Sequence, residues 1–114
     1  MTTRPWRQEI ELQQNYPKHK TFTVTVPLPE GENPATAQDA VLLAGSMEEC
    51  NKVSFIVETA GAYVEFDSDA TTSSMLIPAN EGYFDDSVWF GTKISILAAT
   101  NETQPRIRGI IWGR

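Results

Sequence analysis

The stretch that decides the fold runs from Asn51 to Tyr83, NKVSFIVETAGAYVEFDSDATTSSMLIPANEGY. Val53, Phe55 and Val57 alternate with Ser54 and Ile56, and Ala62, Val64 and Phe66 alternate with Tyr63, Glu65 and Asp67. A period of two puts each set on one face, so both segments read as half-buried β-strands. Thr59-Ala60-Gly61 joins them, and so short a connection predicts an antiparallel hairpin. Asp67 to Ser74 (DSDATTSS) is a small, polar loop, and the acids Glu65, Asp67 and Asp69 read as a solvated rim. Met75 to Ile77 is a short strand that Pro78 stops, and Asn80 to Tyr83 (NEGY) reads as a turn.

Further strands follow on both sides. Downstream, Val88 to Phe90, Lys93 to Ala98 and Arg106 to Trp112 (RIRGIIW) are apolar and short. Upstream, Thr21 to Val26 (TFTVTV) alternates cleanly, and Pro27 and Pro29 end it. Glu30 to Pro34 is a loop, Thr36 to Asp39 reads as a short turn of helix, Val41 to Ala44 as a strand, and Met47 to Asn51 as a turn. About eight short strands at even spacing predict an all-β antiparallel sandwich, jelly-roll-like, with two four-stranded sheets. The expected core is Phe22, Val24, Val26, Val53, Phe55, Val57, Val64, Phe66, Ile77, Val88, Phe90, Ile94, Ile96, Ile107 and Ile111. Tyr63, Trp89, Leu97, Ile110 and Trp112 are left over on the opposite faces, where they either close the ends of the sandwich or meet a partner.

With 114 residues the chain is long enough for one core and too short for two. The domain is expected over residues 21–114, preceded by an extended arm over residues 1–20. The arm holds Pro5 and Pro17 and two isolated aromatics, Trp6 and Tyr16. These aromatics either fold back on their own domain or anchor the arm on a neighbour. A formal charge of −6 argues against a general nucleic-acid binder and against docking on an anionic membrane. From Glu30 to Asp86 there are twelve carboxylates and one base, Lys52, whereas both ends of the chain are basic. Such a distribution either favours contact between copies or is chance clustering on a solvated surface.

Catalytic constellations are not legible. His19, the single histidine, lies between Lys18 and Lys20 with no nucleophile elbow anywhere. Glu58, Glu65, Asp67, Asp69, Asp85 and Asp86 offer carboxylates for hydrolysis, but no spacing selects two of them. Asp67 to Thr71 offers hard oxygen ligands without the glycine and distal glutamate of a calcium loop. Cys50, the only cysteine, excludes an intrachain disulfide and a cysteine-based zinc cluster. The N-terminal residues lack the apolar run of a signal peptide, so the Asn101-Glu102-Thr103 sequon reads as chance. No cofactor or metal is expected, and the chain is not expected to be an enzyme. Tyr63, Trp89 and Trp112 beside carboxylates keep a sugar-binding platform open as an alternative to packing.

AYVEFDSDATTSSMLIPANEGYF, TKISILAAT and RIRGIIWGR together resemble small all-β virion structural proteins of tailed bacteriophages. The resemblance covers roughly the last half of the chain and carries no catalytic signature. It implies a capsid cement or decoration protein, often a homotrimer over capsomer junctions, sometimes with a terminal arm that reaches a neighbour. Its partners would be the major capsid protein and further copies of itself, and its place the capsid surface after assembly in the host cytoplasm. The residues expected to bind partners are Arg4, Trp6, Arg7 and Tyr16 in the arm, with Trp89 and Trp112 in the domain. The alternatives are a carbohydrate- or receptor-binding module of a virion fibre and a tail or head–tail connector component.

Overall fold

The computed structural model describes residues 18–28, 37–100 and 102–114. Within them lie eight strands: β1 Lys18–Thr25, β2 Gln38–Leu42, β3 Cys50–Glu58, β4 Ala62–Phe66, β5 Met75–Ile77, β6 Glu81–Asp85, β7 Lys93–Ala98 and β8 Arg106–Gly113. One sheet has the order β1-β8-β3-β6 and the other β2-β7-β4-β5, with every pairing antiparallel. First strand pairs with last, second with seventh, third with sixth and fourth with fifth. The chain is thus a doubled ribbon, rolled up so that successive pairs fall in alternate sheets. That is the jelly-roll sandwich which the strand spacing predicts.

One expectation about connectivity fails. β3 and β4 do not form a hairpin; they lie in different sheets, and Thr59–Gly61 is the corner between them. Alternation cannot tell these cases apart, because a hairpin and a sheet-to-sheet corner both aim Val57, Ala62 and Val64 at one core. The corner itself carries the distinction. Thr59 adopts φ 73°, a left-handed conformation that a β-branched residue rarely takes. Its hydroxyl sits 2.5 Å from the Gln104 carbonyl oxygen, which ties the corner to the loop before β8.

Other boundaries also shift. Glu81–Asp85 is an edge strand on β3 where a turn is expected, because β3 offers a free edge that outweighs the local turn preference of Asn80 and Gly82. Asn80 alone takes the turn conformation, at φ 64°. Val88–Phe90 is not a strand; only Phe90 pairs, in an isolated bridge with Cys50. Gln38 and Asp39 belong to β2 and not to a helical turn, and Cys50 and Asn51 to β3. β1 begins at Lys18, so Lys18–Lys20 are part of the sheet.

The inward faces form one core, in which Val26, Leu43, Val53, Val57, Phe90, Ile94, Ile96, Ile107 and Ile111 are fully buried. Val24, Phe66 and Val88 are only partly buried and pack at its margin. A seam of aromatics runs through it. Phe22 meets Phe55 at 6.4 Å between ring centroids, Phe55 meets Tyr83 at 5.4 Å, Tyr83 meets Phe66 at 6.2 Å, and Phe66 stacks on Phe90 at 4.8 Å. Such pairs contribute about 0.5–1.5 kcal/mol each beyond their burial. The seam links β1, β3 and β6 of one sheet to β4 of the other and ends on Phe90, which bridges to Cys50 of β3.

The polar stretch from Asp67 to Ser74 is a cover whose acids, Asp67 and Asp69, stay exposed. It folds over the outer face of the β2-β7-β4-β5 sheet and buries Ala70 there. The Ala70 N–H donates to Ser95 Oγ at 2.9 Å, which satisfies a serine that is itself fully buried on central β7. The Ser74 hydroxyl donates to Glu65 at 3.1 Å. Asp67 starts the loop at φ 65°, and its carboxylate accepts from the N–H groups of Gly91, Thr92 and Lys93 at 3.1, 2.6 and 3.3 Å.

Partial desolvation pushes the Asp67 carboxyl up, but those three N–H groups outweigh it and hold it below the usual value of 3.8. A depressed carboxylate stabilises the fold above its unfolded-state pKa and loses that contribution as pH falls through the folded value. Asp67→Asn keeps the backbone conformation and removes the charge. It is expected to cost about 1 kcal/mol at neutral pH after allowance for solvent screening. In urea titrations the gap between variant and wild type should close as the pH is lowered below about 4. A gap that persists undiminished in acid would exclude the charge as its source.

Candidate functional site

The outer face of the β1-β8-β3-β6 sheet is the most distinctive described surface. Its cross-strand rows are His19–Trp112–Lys52, Thr21–Ile110–Ser54–Phe84 and Thr23–Arg108–Ile56–Gly82. Strand alternation dictates the composition. With Tyr83 turned inward onto Phe55, Phe84 must point out, and it is 60% exposed. Ile56 is exposed beside it, and Ile110 and Trp112 are half-buried. Lys52 lies between two aromatics, its Nζ 4.7 Å from the Trp112 ring centroid and 5.5 Å from that of Phe84. This ladder of Trp112, Lys52 and Phe84 spans three strands and fixes the cation over the apolar centre. Cation–π contacts at exposed sites are worth about 0.5–1 kcal/mol each.

The same face ends in an ion-pair cluster. Glu58 accepts from Arg108 Nε at 2.7 Å and from Arg106 Nε at 3.3 Å. The outward charges on β3 and β8 are therefore Lys52, Arg106 and Arg108 against Glu58.

The opposite sheet is unlike it. On its outer face Lys93 is held between Asp39 at 3.0 Å and Asp69 at 2.5 Å. Hydrogen bonds from its ammonium to Asp69 and then Asp39 push the Lys93 pKa up. With Glu65 nearby, acids outnumber bases on this side. Next to them an apolar row, Leu97–Tyr63–Leu76, crosses the sheet. Leu97 is buried in it, Tyr63 is half-buried and Leu76 is 52% exposed. Met75, adjacent on the edge strand, is exposed too, but it pairs with Val64 and so lies on the other side of β5.

Arg4, Trp6, Arg7 and Tyr16 lie outside the described residues. Trp89 and Trp112 both lie at the end of the sandwich where β1 starts and β8 finishes. Trp89 is 66% exposed, and its indole N–H donates to Glu49 at 2.7 Å. Glu49 also pairs with Arg114 Nε at 3.2 Å, two residues beyond Trp112. Lys52, Ile56 and Phe84 were not among the expected site residues. The signal for Lys52 was its isolation among acids. Phe84 carried none, since a two-residue alternation in EGYFD is too short to stand against a glycine turn.

The chemistry left open by the sequence can now be placed. His19 faces outward in the row of Trp112 and Lys52, neither of which completes a nucleophile–base pair. Asp67 is held by three backbone N–H groups, and Asp69 pairs with Lys93. Among the described residues, no group of three or more His, Cys, Asp or Glu side chains is placed to hold a metal. Cys50 is fully buried, and desolvation pushes its thiol up to about 11 against weaker hydrogen bonds with the Lys52 and Trp112 backbone. A thiol so placed carries almost no thiolate at neutral pH.

The chain matches no family model, no curated protein and no solved structure.

Proposed function

We propose that this chain is a non-enzymatic virion structural protein of a tailed bacteriophage, a capsid cement or decoration protein. The observation that carries the reading is the aromatic ladder on an outer sheet face, where Phe84 is 60% exposed next to half-buried Lys52 and Trp112. Contiguous exposed aromatics with an anchored cation are what an adhesive surface needs. In this reading the sheet face and the N-terminal segment hold the protein to the major capsid protein and to further copies of itself. Binding to assembled shell and not to its dissociated subunits would stabilise the shell by mass action.

Immunogold labelling of particles of the encoding phage should show many copies over the head. A few copies at a vertex or tail would favour a connector component instead, and absence from the particle would overturn the reading. Deletion of residues 1–17, which stops short of β1, should leave the domain folded and abolish capsid binding.

A second reading rests on Trp89. Its Nε1 is tethered by Glu49, so the exposed ring is held in one orientation, as a sugar-stacking platform requires. Glycan-array binding lost in Trp89→Ala would favour a carbohydrate- or receptor-binding module of a virion fibre.

A further inference from the structure

We infer that the outer face of the β1-β8-β3-β6 sheet docks on the outer face of the β2-β7-β4-β5 sheet of a second copy, in a head-to-tail contact. Charge settles the orientation. On the first face Lys52, Arg106 and Arg108 stand against Glu58, and on the second Asp39, Glu65 and Asp69 stand against Lys93. Either face packed on its own kind would place like charges together, and such juxtaposition costs several kcal/mol. Packed on each other, the two faces are complementary.

The apolar centres match in the same pairing. Phe84 and Ile56 are exposed on one face, and Leu76 on the other, beside half-buried Tyr63. On each face the apolar row runs beside the charges: Ile110–Ser54–Phe84 next to the row of Lys52 and that of Arg108, and Tyr63–Leu76 next to Glu65. An interface with an apolar centre and a polar rim of opposite sign is the arrangement that excludes water while fixing register. Because the two surfaces differ, the contact is heterologous. It leaves one free face of each kind on a dimer, so assembly continues until a ring closes. The inference deepens the adhesive reading above, but its test needs no capsid, so either can fail while the other stands.

The test reverses each face separately and leaves at least one ion pair in place on each. Lys52→Glu with Thr21→Glu and Thr23→Glu turns the first face acidic and leaves Glu58 with its arginines. Asp69→Lys with Thr72→Lys turns the second face basic and leaves Lys93 with Asp39. In sedimentation velocity the wild type should form species larger than a dimer. Each variant alone should be monomeric, with wild-type circular dichroism. An equimolar mixture of the two variants should assemble again, since both contacts in the mixed array regain opposite charge.

Three results would overturn the inference: a wild type that stays monomeric, a mixture that stays monomeric, or assembly lost only when the first face is reversed. The last would mean that this face packs on its own kind. If deletion of residues 1–17 converts a monomeric wild type into an assembling one, the face is occupied by the N-terminal segment of its own chain. Should either variant fail to fold, Phe84→Asp and Leu76→Asp test the same faces singly, and each should abolish assembly. Assembly that survives both would equally overturn the inference.

Discussion

Gly109→Val is expected to abolish cooperative folding. Gly109 is the point on β8 where the chain passes between Phe22 of β1 and Phe55 of β3, its register partners on either side. The two rings close over it at 6.4 Å, in the space that a side chain at 109 would occupy. A Cβ there would fall 2.5 Å from Phe55 Cβ and closer still to the Ser54 carbonyl oxygen. That obstacle is backbone of the central strand β3, so no rotamer change relieves it. Overpacking ordinarily costs about 1–3 kcal/mol where side chains can shift. Here the β3–β8 ladder must separate, so Gly109→Ala alone should cost at least about 3 kcal/mol, a large part of a total near 5–15 kcal/mol. Gly82→Ala is the control, because its added Cβ would meet only the Phe55 carbonyl oxygen at 3.4 Å. It should lose no more than about 1 kcal/mol. Thermal melts of the three variants decide the matter; a Gly109→Val protein that melts like wild type would show that the strand register is wrong.

Phe90→Ala should be the most damaging truncation in the core, at about 3–5 kcal/mol. Phe90 is fully buried, stacks on Phe66 at 4.8 Å and 26°, and bridges to Cys50 through N–H···O bonds of 2.8 and 3.2 Å. Its ring ends the aromatic seam and joins the two sheets at the end of the sandwich that carries Trp89. Removing it leaves a cavity that the rigid strands β3 and β4 cannot close. The urea midpoint should fall with little change in slope. Trp89 fluorescence should shift as its Nε1 bond to Glu49 loosens. A loss below about 1 kcal/mol would mean that the site collapses freely and that the seam is not rigid.

Both residues show where the sequence was readable and where it was not. Phe90 reads as core from its alternation with Trp89, and it is core; of the expected strand only Phe90 pairs, in its single bridge to Cys50. Gly109 reads as an unremarkable interruption of RIRGIIW. Only the register across β1, β8 and β3 reveals that two phenylalanines meet above it. The cover over Ser95 was hidden for a similar reason. DSDATTSS has the composition of a solvated loop, and a single buried Ala70 with one hydrogen bond to β7 makes it part of the packing.

The candidate surface was half legible. Trp112 and Ile110 were visible as apolar residues left on the wrong face of β8, and Lys52 as an isolated base. Their assembly with Phe84 and Ile56 was not, since it depends on β6 joining the edge of β3.

Alternation and turn residues by themselves determined an all-β sandwich, most of its strands and the larger part of its core, because inward and outward positions are set locally by a period of two; the β2 side of the core, Ala40, Val41, Leu43 and Met47, was not among the expected residues. Tertiary structure decided which strands pair, that Thr59–Gly61 is a corner and no hairpin, and which outward residues become neighbours. Those are questions of register between segments far apart in the chain. A face is built from one residue of each strand in turn, so its chemistry exists only once the jelly roll has closed.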